Sequence, residues 1–479
     1  MNNYEILPGV FDIVPEDKKE IWQSVEIWQK LEELIRSTCA SFGFEEIRTP
    51  ILERSELFLR SSGETSDVGS KELYRFTDKG DRDIALRPEG TAAALRLFRD
   101  QDQEWQKKHK KLFYIEPMFR YDRPQAGRYR QHHQFGVEVI GPADPETDVE
   151  LIDLLFTFYS KMGLKGLKLE LNSLGTKASR ESYLKGLIAY YTPFKDKLSA
   201  DSLRRLETNP LRILDSKDPQ DKEINQKAPS ILDFLDEPSK EHFEKVKTWL
   251  TQLKIPFTIN PNLVRGLDYY NHTVFEVVTD QLGAQNSLGG GGRYDGLLKL
   301  IGGPDLPAIG FGAGMERMIQ IALKQEVFFV PKAGLELAII PLGESAYMTG
   351  YSLVRQLRHD GIAATIDLSR KKLAKRLQEA HESGVKRVLI LGDEECEKGI
   401  AKIKLMETGQ ELSLPLNQIA SFLTLETQLP KLSRTWDRLA TLMENKIISN
   451  ALLEQTSHGL QALSKAIDEV HAKLQLKTN

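Results

Sequence analysis

LFYIEPMFRYDRPQAGRYRQHHQFGVEVIG, residues 112–141, is the stretch on which the reading of the chain turns. It parses as two strands joined by a Pro/Gly-marked, arginine-rich loop, and alternate side chains of a strand face opposite sides. In the second arm Phe135, Val137 and Val139 share one face, and Gln134, Gly136 and Glu138 the other. In the first arm Phe113, Ile115 and Phe119 fall on one parity, with Glu116 and Arg120 on the other. Such a hairpin offers an apolar face to a core and a polar face with an arginine, an amide and a carboxylate around the gap at Gly136. Arg123, Arg128 and Arg130 in the loop add charge that suits an anionic ligand. An ordinary antiparallel sheet with one solvated face has the same spacing. Glycine weakens a strand, so its place between two polar residues tips the balance toward a site.

The totals bound the rest. A chain of 479 residues holds roughly two to four domains. Its net charge of −4 excludes a global basic field, so a nucleic-acid partner must be met by local patches. The two cysteines, Cys39 and Cys396, form neither a disulfide framework nor a CxxC metal pair. No apolar run of ~18 residues is present, and the N-terminal stretch lacks a basic-then-apolar signal. A cytoplasmic enzyme with no membrane partner is expected.

Upstream of the hairpin, residues 17–41 read as an amphipathic helix through Ile21, Val25, Trp28, Leu31 and Ile35. FEEIRTPILE (44–53) follows as a strand broken at Pro50; core scaffolding and a dimer seam both fit it. In YRFTDKGDRDIALRPEGTAAALRLFR (74–99) two short strands flank Lys79-Gly80, and LRPEGT opens a helix with Pro88 in its first turn. Glu89 and Thr91 then sit near a helix N-terminus. A carboxylate there either complements the helix dipole or, with the hydroxyl, binds a cation such as an α-ammonium group.

Downstream, 146–162 predict a helix, 167–172 a strand, and 176–255 a charged helical insertion. PNLVRGLDYYNHTVFEVV (261–278) places Arg265-Gly266 before two tyrosines and an alternating strand, on which only one tyrosine can line a given face. SLGGGGRYDGLL (287–298) carries four consecutive glycines, costly to order, where backbone must approach a ligand or another strand closely. AIGFGAGMERMIQIAL (308–323) is strand, glycine turn and helix, with Arg317 early in the helix. Met315 stands where a dinucleotide fingerprint needs its last glycine, and no GxxxxGK[ST] loop occurs. His132 and His133 are adjacent on a strand and point apart, so no metal site is expected.

After Pro331 the pattern alternates: strand 335–341, helix 346–359, strand 362–367, helix 370–383 and strand 387–392. This predicts a small α/β domain with a parallel sheet, Ser369 capping its second helix. Arg370, Lys371, Lys372, Lys375 and Arg376, with Lys386 and Arg387 beyond, form a basic cluster suited to a phosphate backbone. In the tail, 431–479, Leu460, Leu463, Ile467, Val470 and Leu474 follow the three-then-four spacing of a helix packing on a helix.

Together these segments resemble the histidyl-tRNA synthetases of class II. FEEIRTPILE is similar to that class's motif 1, FYIEPMFRYDRPQAGRYRQHHQFGVEV to motif 2, and AIGFGAGMERM with Arg317 to motif 3. VRGLDYYNHTVFEV and GGGGRYDGL resemble the two histidine-specific signatures. The resemblance runs from about residue 4 to 425. The chain departs from it in a tail longer than that of a typical bacterial member, and at Asn271-His272, where small residues are common.

The resemblance implies an α+β catalytic domain with a six-stranded antiparallel sheet over 1–325, the helical insertion at 176–255 included. An α/β anticodon-binding domain over 333–425 and a helical C-terminal extension over 426–479 follow. It implies a homodimer that joins histidine to tRNA(His) through a histidyl-adenylate, with ATP as substrate and Mg2+ carried on its phosphates. Arg120 and Arg265 are then the catalytic arginines, on the α-phosphate and the substrate carboxylate. Glu89, Thr91 and Gln134 take the ammonium, Glu138 and Tyr270 the imidazole, and Tyr269 and Tyr294 complete the histidine pocket. Arg128 and Arg317 join Arg120 on ATP. Arg123 and Gln125 face the tRNA acceptor end; the basic cluster, not a motif, places Lys371, Lys372 and Lys375 on tRNA at the anticodon side. The rival within the same fold is the non-catalytic regulatory subunit of ATP phosphoribosyltransferase, which usually lacks the motif arginines and the second domain. Threonyl and prolyl enzymes are the other rivals, the first needing zinc ligands and the second lacking RGLDYY.

Overall fold

The computed structural model describes residues 4–15, 19–63, 68–124, 127–216, 218–280, 287–327 and 335–424. The chain divides into two compact units, Met1–Val330 and Pro331–Asn479. In chain order the strands of the first are β1 (Glu45–Glu46), β2 (Leu52–Arg54), β3 (Arg75–Thr77), β4 (Asp83–Leu86), β5 (Lys110–Phe119), β6 (Gln131–Ile140), β7 (Leu167–Ser173), β8 (Phe257–Ile259), β9 (Asn271–Thr279), β10 (Ser287–Arg293) and β11 (Ala308–Gly314). The main sheet runs β1-β5-β6-β11-β10-β9-β7-β8, and β2-β4-β3 form a small separate sheet. The six central strands are antiparallel throughout. The short β1 and β8 add in parallel at the two edges.

The parity read from the hairpin decides which face is core. Phe135, Val137 and Val139 join Phe275, Val277 and Phe311 in one buried cluster. Helices Val25–Ser41, Pro145–Met162, Glu237–Gln252 and Met315–Lys324 supply the other side of that core. Burying each such side chain is worth about 1.5–3 kcal/mol, and a one-residue slip of β6 would turn all three outward. The register is therefore fixed, and Gln134 and Glu138 must face the other way.

Several expected boundaries shift. The first helix begins at Val25 because Ser24 is extended, and Ile21–Gln23 form a separate 3-10 turn with Ile21 58% exposed. The strand at Pro50 splits into β1 and β2, which belong to different sheets. Pro88 precedes the helix Thr91–Arg99 instead of opening it. Within 176–255 the helices Lys177–Tyr191, Ala200–Thr208, Pro219–Asn225 and Glu237–Gln252 start at Thr176, Ser199, Asp218 and Asp236. Each of these four side chains accepts an N-terminal amide.

The second unit carries β12 (Leu337–Leu342), β13 (Ala364–Ile366), β14 (Arg387–Gly392), β15 (Ile400–Leu405) and β16 (Glu411–Pro415), ordered β13-β12-β14-β15-β16. Three strands are parallel, as the alternation requires, but β15 and β16 extend the sheet antiparallel. The sheet is mixed. Ser369 does not cap the second helix, which starts at Leu373; its amide instead donates to the Asp367 carboxylate at 2.7 Å. Arg376 leaves the basic cluster altogether: it is 3% exposed and bound to Asp367 and the Pro341 carbonyl. The tail reading, at 431–479, lies outside the described residues.

Candidate active site

On the polar face of the main sheet lies a cavity of about 1040 Å³. The hairpin gives it Arg120, Arg128, His132 and Gln134, and the turn before helix Thr91–Arg99 gives Glu89 and Thr91. Arg265, Tyr269 and Tyr270 enter from the segment ahead of β9, Glu276 from β9, Ser287 and Gly290 from β10, and Arg317 from the helix after β11. The insertion contributes Arg212 and Lys222.

One end is acidic and hydroxyl-rich. Glu89 accepts the amides of Thr91 (2.6 Å) and Ala92 (3.0 Å), so it complements the helix dipole and faces the cavity at once. Burial outweighs these bonds and raises its pKa. Behind Thr91 stands Glu138, fully buried. It accepts the hydroxyls of Thr91 (2.8 Å), Tyr114 (3.1 Å) and Tyr294, and loss of solvent pushes its carboxyl up to about 8.

The other end is cationic. Arg120 donates to the Pro88 carbonyl at 2.9 Å, tying the hairpin to the Glu89 turn. Arg265 pairs with Glu276 at 2.8 Å, and Ser287 donates to the same carboxylate oxygen. Gly290 is required here, since a Cβ would come within 2.6 Å of the Phe275 carbonyl oxygen on the neighbouring strand and 2.8 Å of the Arg265 guanidinium. Arg317 donates to the carbonyls of Gly127 and Ser287, at 3.0 and 2.9 Å. Burial first, then Arg128, depresses its pKa. Burial, with Arg120 and Arg317, also holds His132 neutral, well below the usual imidazole value.

Two buried polar atoms of the wall have no hydrogen-bond partner among the described residues: the Gln134 carbonyl oxygen and the Arg265 Nε. One is an acceptor and one a charged donor. Buried polar atoms are rarely left so, and the pair matches the ammonium and carboxylate of an amino acid.

Residues 9–318 match the family model described as histidyl-tRNA synthetase, and 336–425 that of the anticodon binding domain. The chain belongs to the histidyl-tRNA synthetase family. It is 52% identical over 417 residues to the histidine–tRNA ligase of Protochlamydia amoebophila, covering 87% of this chain and 98% of that one. The histidine–tRNA ligase of Lactococcus lactis IL1403 is 45% identical, covering 86% and 94%. Among solved structures, apo Staphylococcus aureus histidyl-tRNA synthetase matches at 37% identity and a TM-score of 0.73, covering 88% and 99%. The Nostoc histidyl-tRNA synthetase, 19% identical with a TM-score of 0.61, shares the fold.

Within this histidyl-tRNA synthetase fold, Glu89, Thr91, Arg120, Arg128, Gln134, Arg265, Tyr269, Tyr270 and Arg317 all line the one cavity. Glu138 and Tyr294 stand one layer behind its wall. Both adjacent tyrosines face the cavity because β9 starts only at Asn271, so strand alternation does not apply to them. Gly136 leaves no gap: Tyr114, its partner across the hairpin, fills the space with its ring. Glu116 turns away to bind Thr49 and Arg87. Arg123 is exposed in the loop, and Gln125 lies outside the described residues. Sequence reasoning missed Glu276, His132 and Tyr114. For Glu276 a signal existed, a lone carboxylate in the apolar run VFEVV.

Proposed function

We propose that the chain joins histidine to ATP as histidyl-adenylate, then passes the histidyl group to the terminal adenosine of tRNA(His). The observation that carries this reading is one cavity lined by Glu89, Thr91 and Gln134 together with Arg120, Arg265 and Arg317. Gln134, Glu89 and Thr91 take the ammonium, and Arg265 the carboxylate. The imidazole lies against Tyr269, Tyr270 and the Thr91–Glu138–Tyr294 unit. Arg120 holds the α-phosphate, so the carboxylate and the phosphate it attacks meet between two guanidiniums that offset their repulsion. The carboxylate oxygen bonds to phosphorus and pyrophosphate departs, its charge met by Arg128 and Arg317. In the second step a ribose hydroxyl of tRNA attacks the acyl carbon and AMP leaves.

Mg2+ bound with ATP would supply charge neutralisation, and the hard oxygen donor that would fit it is Glu276, on the cavity wall beside Ser287 and near the Arg317 end. Arg123 and Gln125 are assigned to the acceptor end of tRNA. For domain limits we take 1–325 as the catalytic unit, 333–425 as the anticodon-binding unit and 426–479 as an extension. A homodimer is supported by the apolar residues exposed on and beside the small sheet: Ile51, Leu52 and Phe76, 42–50% exposed. Among the described residues no helix is long and apolar enough to cross a membrane; the cytoplasm is taken as the place of the reaction.

The test is pyrophosphate exchange into ATP with a panel of amino acids. Exchange with histidine alone is expected; silence with histidine, or exchange driven by another amino acid, sinks the assignment. A second measurement separates the two units. Lys371, Lys372 and Lys375 are exposed; reversing all three charges should weaken tRNA charging by about tenfold or more at low salt and leave exchange unchanged. An equal fall in both reactions makes the cluster structural.

A further inference from the structure

Asn271 and His272 are two positions of the first histidine signature to which the chemistry above gives no task. Asn271 pairs with Arg293 across a register shift at Gly292/Arg293, so the β9–β10 ladder breaks just short of Tyr294. The Asn271 side chain repairs the break. Its Nδ2 donates to the Asp295 carbonyl at 2.8 Å and its Oδ1 accepts the Asp295 amide at 3.1 Å. A carboxamide supplies both donor and acceptor from one planar group, which copies what the lost strand pairing would have given.

Tyr294 thereby hangs between two anchored neighbours. Asp295 also accepts the Ala308 amide at 2.9 Å. Arg293, 1% exposed, pairs with Asp148 at 2.6 Å and donates to the Pro142 and Asp144 carbonyls. On the other strand Tyr270 directly precedes Asn271. The rings of Tyr269 and Tyr270 lie 5.6 and 6.3 Å from that of Tyr294. His272 then takes φ +44°, a left-handed value that side chains disfavour. It is held there by backbone bonds to Gly175 and Leu174, at 3.0 and 2.7 Å.

We infer that Asn271 is a positioning residue for histidine recognition: its carboxamide clamps the Tyr269–Tyr270 pair against the Tyr294–Glu138 wall and sets the width of the imidazole pocket. This rests on the histidine-pocket reading above. The clamp touches none of the arginines assigned to ATP. Its loss is therefore felt by one substrate only.

The experiment compares Asn271→Ala, Asn271→Asp and His272→Gly in the full chain, by calorimetric titration of histidine and by KM values in pyrophosphate exchange. Asn271→Ala raises the histidine Kd and KM about tenfold, with the ATP KM within about twofold and kcat within about threefold. Asn271→Asp keeps the acceptor, loses the donor and falls between. His272→Gly suits the left-handed backbone and keeps the clamp, so its histidine KM stays in the parent range. An unchanged histidine KM in Asn271→Ala, a parallel rise for both substrates, or the same defect in His272→Gly overturns the inference. If the parent titrates with histidine and Asn271→Ala does so equally well, only the clamp falls. If the parent binds a different amino acid in its place, the histidine pocket falls with it.

Discussion

Arg265→Ala is expected to lower histidine-dependent pyrophosphate exchange by about a thousandfold while changing ATP affinity by less than about threefold. The guanidinium has one edge on Glu276 and a buried Nε with no hydrogen-bond partner among the described residues. In the proposed reading the substrate carboxylate is held by this guanidinium. Its removal leaves two anions to approach with only Arg120 between them, and a charge lost from a buried site is felt far more strongly than one lost from water. Glu276 is also left without its cation, so single-turnover kinetics on folded protein, with a thermal melt alongside, is the measurement to make. Arg265→Lys keeps the charge but not the planar fork, and restores only part of the rate. Turnover within about tenfold of the parent for Arg265→Ala removes the residue from the reaction.

Glu138→Gln has the second-largest effect. The carboxyl gathers three hydroxyls, and a buried partner left unsatisfied when one such bond is lost costs about 1–3 kcal/mol. Replacing the acid by its isosteric amide should cut kcat/KM for histidine by about a hundredfold and leave the KM for ATP unchanged. The same substitution has a pH signature. A carboxyl pushed from its ordinary value of 4.5 up to about 8 binds a proton on folding throughout that interval, so the parent's stability falls as pH rises from about 4.5 to about 8. The amide has no such dependence. The melting temperature of the variant minus that of the parent should climb between pH 5 and 8 and then level off. A flat difference shows that Glu138 does not titrate there.

What could be read from the residues, and what could not, follows from range. The hairpin parity was legible because burial on one face is a period-two signal carried by neighbouring residues, and Phe135, Val137 and Val139 obey it. The parallel strands after Pro331 were legible from a different local signal, strands alternating with helices. The two tyrosines misled because alternation holds only inside a strand, and β9 starts one residue later. Gly136 misled because its neighbour across the hairpin, Tyr114, is 22 positions away in sequence, beyond any local pattern. The Glu276–Arg265 pair and the cavity wall given by Arg212 and Lys222 are likewise products of tertiary contact. Arg376 shows the converse: a cluster of like charges in sequence concealed one member spent on the interior.

The ring of Tyr114 has a consequence for redesign. It fills the space a Cβ would need at Gly136 and at Gly90. Neither glycine can accept even alanine while that ring stays. Removing the ring in turn strips a hydroxyl from Glu138 and opens a void between two bare stretches of backbone. The three positions therefore behave as one unit of inheritance, in which each substitution is harmful alone and tolerable only beside a matching one. A library aimed at a wider amino-acid pocket should vary Gly90, Tyr114 and Gly136 together, because a walk taking them singly stalls at its first step.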